Sequence, residues 1–93
     1  MEGKQKAAEQ DFFRWLSSAV PPFVLKDIQT SYVQINRLLV KSKVLPQVIT
    51  NVTLIEQIEA ALQQTKRVFA NKRLRNTAAK LLATYLAYLR EKK

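Results

Sequence analysis

The scarcity of glycine constrains the fold of this chain more than any other feature of its sequence. The 93 residues include one glycine, Gly3, and three prolines. A sheet protein of this size needs several tight hairpins, which usually contain glycine, and the sequence has neither an Asn-Gly nor a Gly-Asn pair. Apolar residues make up 47% of the chain, enough for one modest core. We therefore predict an all-α fold, a compact bundle of four or five helices, with one helical domain over residues 7–93.

Apolar residues that recur at three- and four-residue steps predict where the first two helices lie. The first helix runs from about Ala7, after a polar tail at residues 1–6, to the Pro21-Pro22 pair. Pro22 can also begin the second helix, because a missing N–H costs nothing in the first turn, and Pro46 marks its limit. The apolar stripe of the second helix consists of Leu25, Ile28, Tyr32, Ile35 and Leu39.

The middle of the chain predicts a loop followed by a short helix. Residues 47–52 are rich in β-branched side chains but have no second strand to pair with, so we expect a loop with its apolar side chains tucked under. Thr53 and Glu56 have the spacing of a capping box, in which the hydroxyl and the carboxylate satisfy each other's backbone N–H groups. The helix that follows ends within residues 64–71, and Phe69 anchors the next connection in the core. Its apolar face consists of Ile55, Ile58 and Leu62.

The last helix is predicted to run from Lys72 or Arg75 to Arg90. Its apolar face consists of Ala78, Leu81, Leu82, Tyr85 and Leu89. A second strip contains small residues at four-residue spacing, which would let another helix approach closely: Ala79, Ala83 and Ala87. Leu86 and Tyr88 lie off the main apolar face. That excess of apolar positions favours an alternative function, a protein-interaction or structural module.

Catalytic chemistry is excluded by the inventory of residues. The chain contains no Cys and no His, which removes disulfides, thiolate nucleophiles and the commonest general base and metal ligand. The close carboxylate pair, Glu56 and Glu59, lies in the first turn of a predicted helix, where the helix dipole explains it. No serine has a His to activate it, and no glycine-rich phosphate loop is present. We predict no enzyme activity, no cofactor and no metal.

The aromatic residues of the first helix are interpreted as core residues. Phe12, Phe13 and Trp15 share that helix with Leu16. Stacking on bases is the alternative for such a group. No segment resembles a secretion signal or a bilayer-spanning run, so a cytoplasmic location is expected.

Positive charge is concentrated in one segment of the chain. Sixteen Lys and Arg stand against seven Asp and Glu, a formal charge of +9 that attracts polyanions. Residues 66–80, hereafter the basic segment, contain six cations and no acid, together with the neutral donors Asn71, Asn76 and Thr77. This mixture suits phosphate oxygens, so we predict contact with nucleic acid, DNA or RNA. A solvated surface is the alternative for a run of charges.

Two stretches of the chain carry a family resemblance over residues 10–91. The first is Phe12-Phe13-Arg14-Trp15-Leu16, and the second is the helix Ala78 to Leu89 with its closing Tyr-Leu-Ala-Tyr-Leu. With a long second helix and a short third helix, they resemble the SAM-like, N-terminal core-binding domain of phage integrases (tyrosine recombinases). The Ser-x-x-Thr motif that usually opens the family's second helix is replaced here by residues 22–28, so the resemblance is to a divergent member.

The resemblance implies a DNA-clamping domain of a larger protein involved in DNA integration or recombination. The family's catalytic residues belong to a separate C-terminal domain with no counterpart in this chain. Similar domains also occur without a recombinase part, where DNA binding does not follow. In the family, the second and fourth helices face duplex DNA, which implies contacts through Lys26, Arg37, Lys41, Arg73 and Lys80. Together with the basic segment, the candidate DNA-binding residues are Lys26, Arg37, Lys41, Lys66, Arg67, Lys72, Arg73, Arg75, Asn76 and Lys80. We expect the isolated domain to be a monomer.

Overall fold

Helices make up almost all of the regular structure of this chain. The computed structural model describes residues 2–92, with side chains from residue 7 onwards. Within that range there are five α-helices, one short 3-10 helix and no strand, so the prediction of an all-α bundle is confirmed. In chain order they are α1 (Glu2–Ala19), α2 (Pro22–Lys41), η1 (Ile49–Asn51), α3 (Ile55–Gln63), α4 (Thr65–Val68) and α5 (Lys72–Lys92).

The boundary between α1 and α2 is the one that the proline pair predicts. Pro21 adopts extended backbone, with φ −63° and ψ 155°, and Pro22 is the first residue of α2. The predicted start of α1 at Ala7 is too late, because the helix already includes Glu2 and so runs into the segment expected to be a polar tail. Met1 lies outside the described residues.

The end of α2 is a Schellman motif rather than a stop at proline. Lys43 has a φ of 60°, in the left-handed region that favours glycine. Its N–H donates to the Val40 carbonyl, and the N–H of Val44 donates to the Leu39 carbonyl, both at 3.0 Å. The helix therefore ends at Lys41, before Pro46 can act on it.

The connection after α2 is held to the core by hydrogen bonds from buried side chains. The Ile49 N–H donates to Asn36 Oδ1 at 2.8 Å, and the hydroxyls of Tyr32 and Thr50 hydrogen-bond at 2.8 Å. Ile49 and Val52 are buried, which confirms that apolar side chains of this stretch are tucked under, although Ile49–Asn51 form a 3-10 helix where we expected a loop.

The predicted capping box at the start of α3 is wrong. The helix begins at Ile55, and Leu54 is its N-cap, with extended backbone and no side-chain cap. Thr53 therefore lies one residue too early for its hydroxyl to reach the first free N–H groups, although Glu56 does lie in the first turn. The fully buried side chains of α3 are Ile58 and Ala61, whereas the predicted Ile55 and Leu62 are half-buried.

The α4 turn was not predicted as a separate helix. The third helix ends at Gln63, just before the predicted interval, and α4 adds one turn over Thr65–Val68. The predicted anchor, Phe69, follows that turn and is 1% exposed, so its place in the core is confirmed.

The last helix, α5, is the element around which the others pack. It contacts every other helix, including η1. The predicted apolar face is confirmed, because Ala78, Leu81, Leu82, Tyr85 and Leu89 are all buried. Leu86 and Tyr88 are buried as well, at 8% and 7% exposure, so they do not form an exposed apolar patch and the feature that favoured an interaction module is absent. The reason is that neighbours on several sides cover more of α5 than a single apolar stripe.

The strip of small residues on α5 does not receive another helix. Ala83 and Ala87 are exposed and Ala79 is half-buried, so the predicted close approach is wrong for the described residues. Alanine at exposed positions of a helix is explained by its helix propensity.

An aromatic cluster joins α1 to α5, as the core interpretation of the aromatic residues predicts. The ring of Phe12 is fully buried and lies 5.1 Å from that of Tyr85 and 5.3 Å from that of Tyr88, both edge to face. Phe13 and Trp15 pack against the same core. Trp15 Nε1 also donates to the Glu91 carboxylate at 3.0 Å, near the end of α5.

We predict that Lys43→Gly raises the free energy of unfolding by about 0.5–1 kcal/mol. Relief of a left-handed conformation gains about 1–2 kcal/mol per non-glycine residue, and the greater freedom of glycine in the unfolded chain offsets part of it. Urea denaturation followed by circular dichroism measures the change. Lys41→Gly is the matched control, since it removes the same charge but places glycine inside the helix, and it is expected to destabilise by about 1 kcal/mol. A loss of stability in Lys43→Gly would contradict the prediction.

Candidate nucleic-acid interface

Three of the predicted cations of the basic segment form an exposed face on the N-terminal half of α5. Lys72, Arg73, Asn76 and Lys80 are exposed and follow one another at steps that keep them on one side of the helix. The buried residues of α5, from Ala78 to Leu89, lie on the opposite side. The core therefore turns this face of α5 outwards.

Asn71 determines where that face begins. Its side-chain Oδ1 accepts a hydrogen bond from the Leu74 N–H at 3.0 Å, and its carbonyl accepts from the Arg75 N–H at 2.9 Å. These are the bonds of a helix N-cap, so α5 starts at Lys72. The sequence pattern allowed either Lys72 or Arg75 as the start, and Asn71, three residues before an apolar position, was the signal that could have decided between them.

The first turn of α5 places positive side chains where the helix itself disfavours them. It contains Lys72 and Arg73 and no acid. The N-terminus of a helix carries a partial positive charge, and a cation there costs roughly 0.3–1 kcal/mol at low ionic strength. Helix stability therefore does not explain why cations occupy these positions.

A polar groove between α2 and α5 brings two predicted site residues together. The groove has a volume of about 520 Å³, and its walls carry Lys26 from α2 and Arg73 from α5. We call it the α2–α5 groove. The residues that line it are Lys26, Asp27, Thr30, Ser31, Gln34, Asn71, Arg73, Leu74 and Thr77. The α2 residues other than Lys26 were missed, although Lys26, Thr30 and Gln34 have the four-residue spacing of a single helix face.

Two of the hydroxyl groups in the groove are already engaged in hydrogen bonds. The Thr30 hydroxyl donates to the Lys26 carbonyl at 2.8 Å, and the Thr77 hydroxyl donates to the Arg73 carbonyl at 3.1 Å. Both hydroxyl hydrogens are therefore used within their own helices. The Lys26 ammonium and the Arg73 guanidinium remain as charged donors towards an anion. The Asp27 carboxylate opposes an anion in the same groove.

The other predicted site residues lie elsewhere on the surface. Arg37 and Lys41 are exposed on α2 but line a different groove, together with Val33 and Val48. Lys66 and Arg67 are exposed on α4, which packs against α5. The structure thus brings Lys26 and Arg73 into one groove and separates these four residues from it. The four are Arg37, Lys41, Lys66 and Arg67.

Arg75 has a structural role that the sequence did not predict. It is half-buried, and its guanidinium donates from Nε to the Phe69 carbonyl at 3.2 Å and from Nη2 to the Ala70 carbonyl at 3.3 Å. These bonds fasten the connection between α4 and α5. Arg75 is therefore less available to a phosphate than Lys72 or Arg73.

The exposed cations of the site keep their charges unpaired among the side chains of residues 7–92. In that range the ion pair formed is Arg90 with Glu59, 3.2 Å apart, and it involves none of the candidate residues. For the part of the chain that is described, none of the helices combines the length and apolarity required to cross a bilayer.

We predict that Arg75→Ala lowers the free energy of unfolding by about 1–2 kcal/mol, because two backbone carbonyls lose a charged donor. Arg73→Ala removes the same charge from an exposed position and is expected to change stability by no more than about 0.5 kcal/mol. Urea denaturation monitored by Trp15 fluorescence compares the two variants. Equal losses in both would show that the guanidinium of Arg75 does not fasten the connection.

Comparison with known proteins identifies no relative of this chain. No protein-family model, curated protein or solved structure matches the chain. The resemblance to integrase core-binding domains therefore stays a prediction based on the residue pattern, and a function has to be inferred from the charges and the geometry of the site.

Proposed function

We propose that this chain is an accessory, non-catalytic DNA-binding domain that contacts duplex phosphates through α5 and the adjoining wall of α2. The observation that carries the proposal is the α2–α5 groove, in which Lys26 and Arg73 lie on opposite walls. The residues assigned to phosphate contact are Lys26, Lys72, Arg73, Asn76 and Lys80.

The charge pattern supports a polyanionic partner. Lys72, Arg73 and Lys80 are exposed on one face of α5, and none of them forms an ion pair among the described side chains. A surface that serves only solubility usually intersperses both signs of charge. The cations in the first turn of α5 also oppose the helix dipole, which is a cost that a bound phosphate would reverse.

The dimensions of the face suit a nucleic-acid backbone. Arg73 and Lys80 are seven residues apart, so they are separated by about 10 Å along the helix axis. Successive phosphates of one DNA strand advance by about 3.4 Å along the duplex and also rotate around it, so Arg73 and Lys80 are far enough apart to reach different phosphates of one strand. Contacts of this kind position a protein on DNA and carry little sequence information. The domain is therefore expected to bind duplexes of different sequence with similar affinity.

The resemblance to integrase core-binding domains supports the same orientation. Its second and fourth helices face DNA, and the corresponding long helices here are α2 and α5, since α4 is a single turn. By that resemblance, the domain would act within a larger protein of DNA integration or recombination. Lys66 and Arg67 on α4 would then add attraction at longer range.

We predict that the isolated domain binds a fluorescein-labelled duplex with an affinity that falls steeply with salt. Each phosphate neutralised contributes a slope of about 0.9 in log affinity against log salt. The double variant Lys72→Ala/Arg73→Ala should weaken binding to unrelated sequences alike and reduce the slope by about 2. Fluorescence anisotropy at several salt concentrations measures both quantities.

The matched control for this experiment is Arg14→Ala/Lys43→Ala, which removes the same net charge from exposed positions outside the α2–α5 groove. It should change the affinity much less. Absence of binding at about 50 mM salt, or equal weakening by the control, would contradict the proposal. A parallel titration with an RNA duplex separates DNA from RNA as the partner.

We predict that Asp27→Asn increases the affinity for the same duplex by about two- to fivefold. The change removes a carboxylate from the wall of the groove, and a pair of exposed unit charges contributes roughly 0–1 kcal/mol, which corresponds to at most about fivefold in affinity. Glu56→Gln is the control, because it makes the same change of charge at an exposed position on α3. If both variants bind equally tightly, net charge and not the groove determines affinity.

A further inference from the structure

A second groove lies along α2 and differs from the first in its chemistry. It has a volume of about 570 Å³, and residues from α1, α2 and the connection before η1 line it. We call it the α1–α2 groove. Its apolar contributors are Tyr32, Val33, Val40 and Val48, and its charged contributors are Glu9, Arg37 and Lys41. The size falls within the roughly 300–1,000 Å³ of typical ligand sites.

The floor of the α1–α2 groove is fixed before anything binds. Tyr32 and Asn36 are both 5% exposed. The Tyr32 hydroxyl hydrogen-bonds Thr50 Oγ1, and Asn36 Oδ1 accepts from the Ile49 N–H, each at 2.8 Å. A partner would therefore meet a preformed surface, which lowers the entropic cost of association.

The α2 wall of the groove exposes apolar side chains that the core does not use. Val33 is 65% exposed and Val40 is 38% exposed. They are seven residues apart, two helical turns or about 10 Å, which matches the repeat of apolar residues along one face of a partner helix. Arg37 lies between them in the sequence and Lys41 follows, so cations border the apolar surface.

Charge and polarity decide which occupant fits. The phosphates of duplex DNA could pair with Arg37 and Lys41, but they offer no apolar surface to Val33 and Val40 and would lose hydration against them. A second copy of this chain, paired through this groove about a twofold axis, would bring Arg37 and Lys41 of both copies into one interface with only one acid, Glu9, from each groove. A chain with a formal charge of +9 opposes that pairing further. A partner with acidic residues beside an apolar stripe meets neither obstacle.

We propose that the α1–α2 groove docks a short, acidic amphipathic helix of a partner protein. Its apolar residues, at spacings of three, four and seven, seat on Val33, Val40 and Val48. Its Asp and Glu side chains pair with Arg37 and Lys41 on the α2 side. Glu9 on the α1 wall repels acids there and so restricts them to one flank of the partner helix. This surface is separate from the α2–α5 groove, and the proposal does not depend on DNA binding.

A display selection with a library of 18-residue helical peptides tests the proposal on the intact chain. Val33→Asp serves for counter-selection, since an exposed side chain can be replaced without disturbing the core. The recovered peptides are expected to combine a stripe of Leu, Ile or Phe with acids on one flank. Their affinity, measured by fluorescence anisotropy, should fall at least about tenfold on Val33→Asp.

Two further variants assign the contacts. Arg37→Glu should weaken the selected peptides, and exchange of their acids for Lys should restore part of the affinity for this variant. Phe23→Asp is the matched control, because Phe23 is also exposed on α2, at 67%, but lies outside the groove. It should leave the affinity unchanged.

Four outcomes would overturn the proposal. They are a selection that yields no binder, binders that keep full affinity for Val33→Asp, binders without acidic residues, and displacement of the binders by duplex DNA. The last would assign the groove to nucleic acid. A failure of DNA binding at the α2–α5 groove would leave this experiment unaffected.

Discussion

The arrangement of this fold depends on the contacts that the side chain of Tyr85 makes. Its ring packs edge to face against Phe12 of α1, with the ring centres 5.1 Å apart. Its hydroxyl donates to the Val52 carbonyl at 2.7 Å, which ties the connection between η1 and α3 to the same point. Burial raises the pKa of Tyr85 to about 12, so the hydroxyl remains a donor at any physiological pH. One residue of α5 thus holds the first helix and the middle of the chain in place.

Because α5 is central, the side of it that remains free is the surface to which we assign the proposed DNA contact. Neighbouring helices cover the face from Ala78 to Leu89, and Leu86 and Tyr88 are included in that cover. The exposed side carries Lys72, Arg73 and Lys80. Helix α2 borders two different grooves. One flank of α2 meets the polar start of α5, and the other meets α1 and the connection that contains Val48. The occupants that we propose are a phosphate backbone for the first groove and an acidic amphipathic helix for the second.

Local patterns predicted the elements well and their ends less well. The proline pair at residues 21–22 and the apolar stripe of α5 correspond directly to what the structure contains. The capping box failed because helix α3 starts one residue later than Thr53 requires. We expected proline to end α2, but the helix ends where Lys43 adopts a left-handed conformation. A lysine in the sequence does not indicate that conformation. Such ends depend on bonds to neighbouring backbone, which local composition describes poorly.

The sequence by itself determined that this chain forms helices and where its positive charge is concentrated. Both follow from local properties, namely glycine scarcity, apolar periodicity and the absence of acids from residues 60–90. Only the tertiary structure decided which cations line the same groove. It placed Lys26 and Arg73 on the walls of one groove, placed Arg37 in the wall of the other and engaged Arg75 with the carbonyls of Phe69 and Ala70. The physical reason is that helix packing sets which faces meet, and residues far apart in the sequence become neighbours only through it.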